Sequence, residues 1–157
     1  MKFEALLKDF TTAVENNDAA LLGGLFVDDG VYNDGFFGPF CGPEAIGKML
    51  NDHFWNTAKD FKWEMRNPVC DGVHGYAQYV FSYTSTVEGA EGKRVVFEGF
   101  GQFQLANGKI QNYAETFDTG IALTQINFPA YRLTEFLGKS ATRLRKKYAE
   151  SPHLKGM

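Results

Sequence analysis

Phe3, Leu6, Leu7, Phe10 and Val14 recur at the three- and four-residue spacing of one helix face, with polar residues filling the opposite side. The pattern predicts a first helix that ends at Asn16-Asn17-Asp18. Asp18 can cap a short second helix carrying Leu21, Leu22, Leu25 and Phe26, weakened by Gly23 and Gly24 and stopped at Asp28-Asp29-Gly30. A brief extended piece over 31–34 follows. The Gly/Pro-rich stretch that starts at Gly35 reads as loop, and Pro43 suits the first turn of a third helix. Ile46, Met49, Leu50, His53 and Phe54 form the inner stripe of that helix.

From Lys62 onward the period changes to two. Trp63 and Met65 alternate with Lys62, Glu64 and Arg66, and Pro68 argues for an edge or a bend near the end of this strand. The clearest strand places Ala77, Tyr79, Phe81, Tyr83 and Val87 on one face and Gln78, Ser82, Thr84 and Glu88 on the other. Residues 89–92 turn the chain into a return strand over 94–105, and Ala106-Asn107-Gly108 turns it again into a last strand over 109–118. Helices come first and an antiparallel meander second, which predicts an α+β domain and not alternating βαβ units.

The Asn107-Gly108 turn admits two registers, and they bury opposite faces of the last strand. A two-residue turn puts Phe97, Gly99, Gly101 and Phe103 beside Asn112, Ala114, Thr116 and Asp118. A three-residue loop with Gly108 left-handed puts them beside Gln111, Tyr113, Glu115 and Phe117, and joins aromatic to aromatic; it is the favoured one. Glu115 then points inward, opposite the space left by Gly99. An inward carboxylate needs a partner, a raised pKa or a wet cavity. After Asp118 the chain reaches a final helix over 131–150. Leu133, Phe136, Leu137, Leu144 and Tyr148 give its apolar side, and Lys139, Arg143, Lys146 and Lys147 a basic stripe.

Charge and composition narrow the function classes. Residues 1–131 hold 9 basic and 17 acidic side chains, whereas 132–157 hold 7 basic and 2 acidic, so a net charge of -3 conceals an acidic body with a basic tail. An acidic body disfavours nucleic acid as a partner. The N-terminus lacks a signal-peptide pattern and no stretch has the ~20 apolar residues of a membrane span, so a cytoplasmic protein with no membrane partner is expected. Cys41 and Cys70 have no metal-ligand spacing and read as buried free thiols. No nucleophile-elbow, phosphate-loop or dinucleotide motif occurs, and neither a metal nor a cofactor is expected. The 15 Phe, 7 Tyr and 2 Trp can fill a core or line a ligand cavity.

The order of elements, with LFVDDGVYNDGFFGPFCGPEAIGKML and NGKIQNYAETFD, resembles the nuclear transport factor 2-like superfamily, especially its SnoaL-like branch. The resemblance covers residues 1–125, with 126–157 an appended basic amphipathic helix and tail. It rests on Asp28-Asp29, Asp34, the run from Gly42 to Ile46, and Asn107-Gly108-Lys109-Ile110 leading to Phe117-Asp118. It implies a cone-shaped curled sheet packed on N-terminal helices, with a deep apolar pocket, commonly in a homodimer. In ketosteroid isomerase, a relative, a carboxylate five residues after the Asp-Asp pair shuttles the proton, and Asp34 stands at that spacing. The oxyanion-binding Tyr of that enzyme would fall at Phe10 and its protonated Asp near Gly101, so steroid isomerase activity is not expected. Gly35 stands where many relatives have Pro. SnoaL-like polyketide cyclases, which are similar, use a pocket carboxylate as general acid/base, and the resemblance carries that role to Asp118.

The candidate catalytic residues are therefore Asp34, Glu115, Asp118 and His53. Tyr79, Phe81, Tyr83 and Phe97, with Phe103, Tyr113 and Phe117, are expected to form one aromatic wall for a small hydrophobic ligand. Two functions fit. One is a cofactor-free isomerase, cyclase or lyase; the other is a non-catalytic binding or association module of the same fold.

Overall fold

The computed structural model describes residues 2–155. In chain order the elements are α1 (Lys2–Glu15), α2 (Ala19–Gly24), β1 (Phe26–Asp34), β2 (Gly38–Cys41), α3 (Pro43–Met49), a π-helical turn (Leu50–Phe54), β3 (Ala58–Cys70), β4 (His74–Ser85), β5 (Arg94–Ala106), β6 (Lys109–Phe117), α4 (Thr119–Thr124) and α5 (Ala130–Lys147). The six strands form one curled, unclosed sheet in the order β2-β1-β6-β5-β4-β3. The predicted meander β3 to β6 is present. The sheet is nevertheless mixed, because β1 runs parallel to β6.

The stripe of α1 is buried as its period requires: Phe3, Leu6, Leu7, Phe10 and Val14 all lie in the core, joined by Ala13. Phe10 is fully buried and its ring meets those of Tyr32, Trp63, Phe103 and Tyr113 at 4.9–5.9 Å. Removing such a ring from water contributes roughly 1.5–3 kcal/mol. Glu15, the last residue of α1, fixes the start of β3: its Oε1 accepts from the Trp63 backbone N–H at 2.8 Å and its Oε2 from Lys62 Nζ at 3.1 Å. The Asp18 cap is present, its Oδ1 accepting from the Leu21 N–H at 2.9 Å.

Five features differ from the sequence pattern. Phe26 opens β1 instead of closing α2, and Asp28 and Asp29 lie exposed inside that strand, where its register with β6 is broken. Residues 38–41, expected as loop, form the edge strand β2; Pro39 is tolerated there because an edge has a backbone side without a ladder partner. The third helix ends as a π-helical turn, and β3 begins at Ala58, ahead of Lys62, with a bulge before Lys62. A short helix, α4, precedes the expected last one.

β6 presents the favoured face inward, but in a pairing shifted by two residues from the favoured register and reached by a different device. Asn107 and Gly108 both have positive φ, at 53° and 76°, and Ala106 pairs Lys109, so the turn is a two-residue one of type I′. An extra residue at Gln111 then shifts the pairing, giving Phe103 opposite Tyr113, Gly101 opposite Glu115 and Gly99 opposite Phe117. Glu115 thus faces inward as expected, although its cross-strand neighbour is Gly101 and not Gly99.

Where β6 has ended, the Gln125 side chain continues the ladder, donating to Val96 O at 2.8 Å and accepting from Val96 N at 3.0 Å. This seats α4 against β5. The packing of α5 is thinner. Leu133 and Phe136 are half-buried, but Leu137, Leu144 and Tyr148 stay exposed, as does every residue of 141–150, so the apolar side outruns the body it was expected to pack on. Cys41 and Cys70 are free, as expected, but exposed: they end the two edge strands β2 and β3, where no second layer covers them. Among the described residues no helix is long and apolar enough to cross a membrane.

Candidate functional site

Alternation along β1 sends Tyr32 and Asp34 to the inner face of the sheet, and alternation along β6 sends Tyr113, Glu115 and Phe117 to the same face. Parallel pairing of Tyr32 with Tyr113 brings the two sets side by side. The curl of the sheet encloses a cavity of about 280 Å³, near the lower end of small-molecule sites. Asp34, Glu115 and His53 all open into it. The rest of its wall is mainly aromatic, and Leu123, Ile126, Phe128 and Phe136 from the α4–α5 region complete its lining.

Asp34 is buried, with 8% of its surface exposed. Its Oδ1 accepts both local bonds, from the Phe36 N–H at 2.8 Å and the Phe37 N–H at 3.0 Å, and Oδ2 takes none of the described hydrogen bonds. Burial pushes its carboxyl pKa up; the two backbone N–H groups and nearby His53 pull the other way. His53 sits in the π-helical turn with its ring 4.7 Å from that of Phe37 and 5.3 Å from that of Phe40. His53 and Phe54, both within the π-helical turn, lie on the cavity wall, on the inner stripe that the helix was expected to present.

Glu115 is held by three donors. Oε1 accepts from the Gly35 N–H at 3.1 Å, and Oε2 accepts from the hydroxyls of Tyr79 at 3.1 Å and Tyr113 at 3.0 Å. Two glycines make this possible. A Cβ at Gly99 would lie 2.7 Å from the Tyr79 hydroxyl, so Gly99 leaves room for the donor rather than for Glu115 itself. A Cβ at Gly35 would run into the Phe117 ring, and a proline there would also lack the N–H that Glu115 uses. Burial first, and the neighbouring Asp34 charge second, push the Glu115 pKa well up in spite of the three bonds. Burial and the same carboxyl raise Tyr79 and Tyr113 as well, keeping both as neutral donors.

Three of the four candidate carboxyl and imidazole groups thus meet in one cavity. Asp118 does not: it is exposed and caps α4, its Oδ1 accepting from the Ile121 N–H at 3.1 Å. The end of β6 turns into a helix there, and the carboxylate is used by one orphan N–H of that helix, that of Ile121. The aromatic wall divides too. Phe81, Tyr83, Phe97 and Phe117 line the cavity. Tyr79 and Tyr113 stand behind Glu115 as its donors, and Phe103 is core, packed on Phe3 and Phe10. Neither Phe10 nor Gly101 is among the residues that line the cavity.

Tyr32 and Trp63 were not among the candidates. Both line the cavity, and the Tyr32 hydroxyl and Trp63 Nε1 are buried with no hydrogen-bond partner. The i, i+2 relation of Tyr32 to Asp34 was the sequence signal for the first; nothing in the sequence separates Trp63 from Trp55, whose Nε1 is satisfied by Val14 O at 2.9 Å. Among the described residues no group of three or more His, Cys, Asp or Glu could hold a metal ion.

Comparison with known proteins adds the following. Residues 7–113 match the family profile of the SnoaL-like domain. A comparison with curated proteins finds no match. Among solved structures, a hypothetical protein with a ketosteroid isomerase-like fold from Catenulispora acidiphila, in complex with trimethylamine, is similar with a TM-score of 0.71 at 18% identity, over 80% of this chain and 94% of that one. An LEH-like epoxide hydrolase of M. tuberculosis gives 0.65 at 18% identity, over 80% and 89%. A hexachlorocyclohexane dehydrochlorinase from Novosphingobium barchaimii gives 0.64 at 18% identity, over 74% and 84%. At such identities the likeness is one of fold.

Proposed function

Because the chain belongs to the SnoaL-like family, we propose that the cavity is the active site of an acid/base enzyme, an isomerase, cyclase or lyase that needs no cofactor and acts on a small hydrophobic, carbonyl-bearing substrate. The observation that carries this reading is the meeting of two carboxyl groups in unlike environments inside one aromatic cavity. Asp34, with two backbone N–H groups on one oxygen and the other free, is the base. Glu115 is the more strongly raised of the two and keeps its proton at neutral pH, which makes it the acid. His53 is a second donor on the cavity wall, near Asp34. Asp118 has no part in this scheme. The catalytic unit is residues 1–125, and 126–157 supply an appended helix whose Phe136 adds to the cavity lining. Relatives named for epoxide hydrolysis and dehydrochlorination, both chemistries on small molecules, are compatible with it.

The test is exchange of α protons of small cyclic ketones for deuterium in D2O, followed by NMR. Asp34→Asn is expected to lower the enzyme-catalysed rate by about 10²–10⁴-fold. Unchanged exchange in both Asp34→Asn and Glu115→Gln contradicts the assignment and leaves the non-catalytic binding module as the better account.

A second feature supports self-association. On the outer face of the sheet Tyr76, Val96 and Phe100 stand 43%, 49% and 57% exposed, together with Val69 at 62%. Cross-strand pairing puts them on one surface. A homodimer formed through this face is our second proposal.

A further inference from the structure

The lining of the cavity holds two carboxyl groups and neither Lys nor Arg. Glu115 engages both oxygens, with the Gly35 N–H and the two tyrosine hydroxyls. Asp34 does not. Only 8% exposed, it takes both backbone N–H groups on Oδ1 and leaves Oδ2 without a partner among the described residues. The Tyr32 hydroxyl and Trp63 Nε1 are sealed inside the wall, but this oxygen is not, and it is open to a ligand.

A buried carboxylate without a counter-charge is costly, and proteins pair such groups. The titratable groups that face Asp34 do not pair it. Glu115 on β6, Tyr32 on β1, Tyr79 and Tyr83 on β4 and Tyr113 on β6 are each either neutral or negative. His53 is the one lining side chain able to turn positive, and it makes no ion pair with Asp34 among the described residues. Burial raises the Asp34 pKa to about 6, which still leaves the group about nine-tenths ionised at pH 7. The missing positive charge can therefore come from a ligand.

The wall restricts what kind of cation that is. A primary ammonium carries three N–H donors in search of acceptors, and the cavity offers one free carboxylate oxygen among mostly phenylalanine rings. A tertiary or quaternary ammonium has at most one such donor and spreads its charge over alkyl groups, which aromatic rings attract. Phe36 and Phe37 follow Asp34 directly, and Phe97 and Phe117 pack on Phe36. All four rings line the cavity.

We propose that the cavity binds a small tertiary or quaternary ammonium ion, with Asp34 Oδ2 as its counter-charge and the surrounding rings as its wall. The proposal does not rest on the acid/base reading, since it needs Asp34 ionised and not catalytic. Because that reading uses the same oxygen as its base, a bound ammonium ion is also expected to inhibit the reaction.

Choline and its uncharged counterpart 3,3-dimethylbutan-1-ol differ only in nitrogen or carbon at the branch point, and neither titrates between pH 5 and 7. Calorimetric titration of both at these two pH values isolates the effect of charge. At pH 7 choline is expected to bind at least about tenfold more tightly. From pH 7 to 5 the ionised fraction of Asp34 falls from about nine-tenths to about one-tenth, so choline binding is expected to weaken about tenfold and alcohol binding to stay level. A proton taken up by His53 acts in the same direction. Asp34→Asn separates the two, because it removes the carboxylate, keeps the imidazole and retains at Oδ1 the acceptor for both backbone N–H groups. In that variant choline and the alcohol are expected to bind alike at pH 7. Should it fail to fold, His53→Gln, which must keep the pH dependence, decides instead. Equal affinities in the unaltered protein, a choline preference that persists in Asp34→Asn or is the same at both pH values, or no choline binding at roughly 50 mM overturns the proposal. Choline binding of this kind in a protein that exchanges no ketone protons removes the acid/base reading and leaves the cation site standing.

Discussion

Replacing Glu115 by Gln tests the electrostatics of the cavity most sharply, because the effect must change with pH in a direction fixed by the structure. Burial raises the folded-state pKa of Glu115 from 4.5 to about 8. A raised carboxyl contributes stability that is fully present below the unfolded-state value and is lost as pH rises through the folded-state one. At about 1.4 kcal/mol per pH unit the loss between pH 4.5 and 8 is at most about 5 kcal/mol. The Gln variant has no proton to lose at this position, so this dependence disappears. Its amide oxygen can keep the Gly35 N–H, but its NH2 group then faces the Tyr79 and Tyr113 hydroxyls, whose protons lose their acceptor. That costs roughly 1–3 kcal/mol. The variant is therefore expected to be the less stable protein at pH 5, to draw level near neutrality and to become the more stable one at pH 9. Urea unfolding at the three pH values, followed by far-UV circular dichroism, measures the difference. A stability gap that stays constant within about 0.5 kcal/mol from pH 5 to 9 would refute the assignment of Glu115 as a buried, proton-holding acid.

Further expectations follow from the same contacts. Gly35→Pro removes the backbone donor to Glu115 Oε1 and sets a ring against Phe117; it is expected to destabilise the fold by about 3 kcal/mol or more, read from denaturant midpoints. Phe100→Glu places a charge in the exposed apolar surface of β5 and is expected to leave the Tm nearly unchanged while shifting the protein to monomer in sedimentation equilibrium; an unchanged mass would show that the outer face is not the interface. Removing residues 129–157 deletes a helix without a buried residue, so Tm is expected to fall by only about 5 °C whereas 1-tetralone affinity drops, since Phe136 leaves the cavity wall. Loss of cooperative unfolding on truncation would make α5 part of the core.

What the sequence disclosed depended on how local the determining physics is. The stripe of α1 and the alternation of β4 from Ala77 to Tyr83 are period signals and were legible in the sequence; Val87, read onto the same face, lies beyond the end of β4 at Ser85 and is exposed. The inward side of Glu115 was legible as well, because aromatic matching between β5 and β6 outweighs the turn: the turn is the two-residue kind that alone would have given the other register, and the extra residue at Gln111 restores the match. Signals failed where a residue type is used against its usual preference. Asp28 and Asp29 read as a helix stop because two adjacent acids suit loops, yet they sit exposed at a break in the β1 register. Residues 38–41 read as loop because only an edge strand accepts Gly and Pro together. Asp118 matched a family position but was claimed by the Ile121 N–H of α4, a helix whose six residues are too few to show a period. The Tyr32 hydroxyl and Trp63 Nε1 are buried without a partner among the described residues, and an absent bond leaves no pattern in a sequence.

The central claim is that Asp34 and Glu115 divide the roles of base and acid, and the pH dependence of ketone α-proton exchange tests it most directly. Catalysis needs Asp34 ionised and Glu115 protonated, and their raised pKa values, about 6 and about 8, place the optimum between them. The apparent values belong to the interacting pair. The account predicts a bell-shaped rate profile with its maximum near neutral pH, the alkaline limb disappearing in Glu115→Gln and the whole catalysed rate in Asp34→Asn. A catalysed rate that rises steadily from pH 5 to 9, or one that survives in Asp34→Asn, would contradict it.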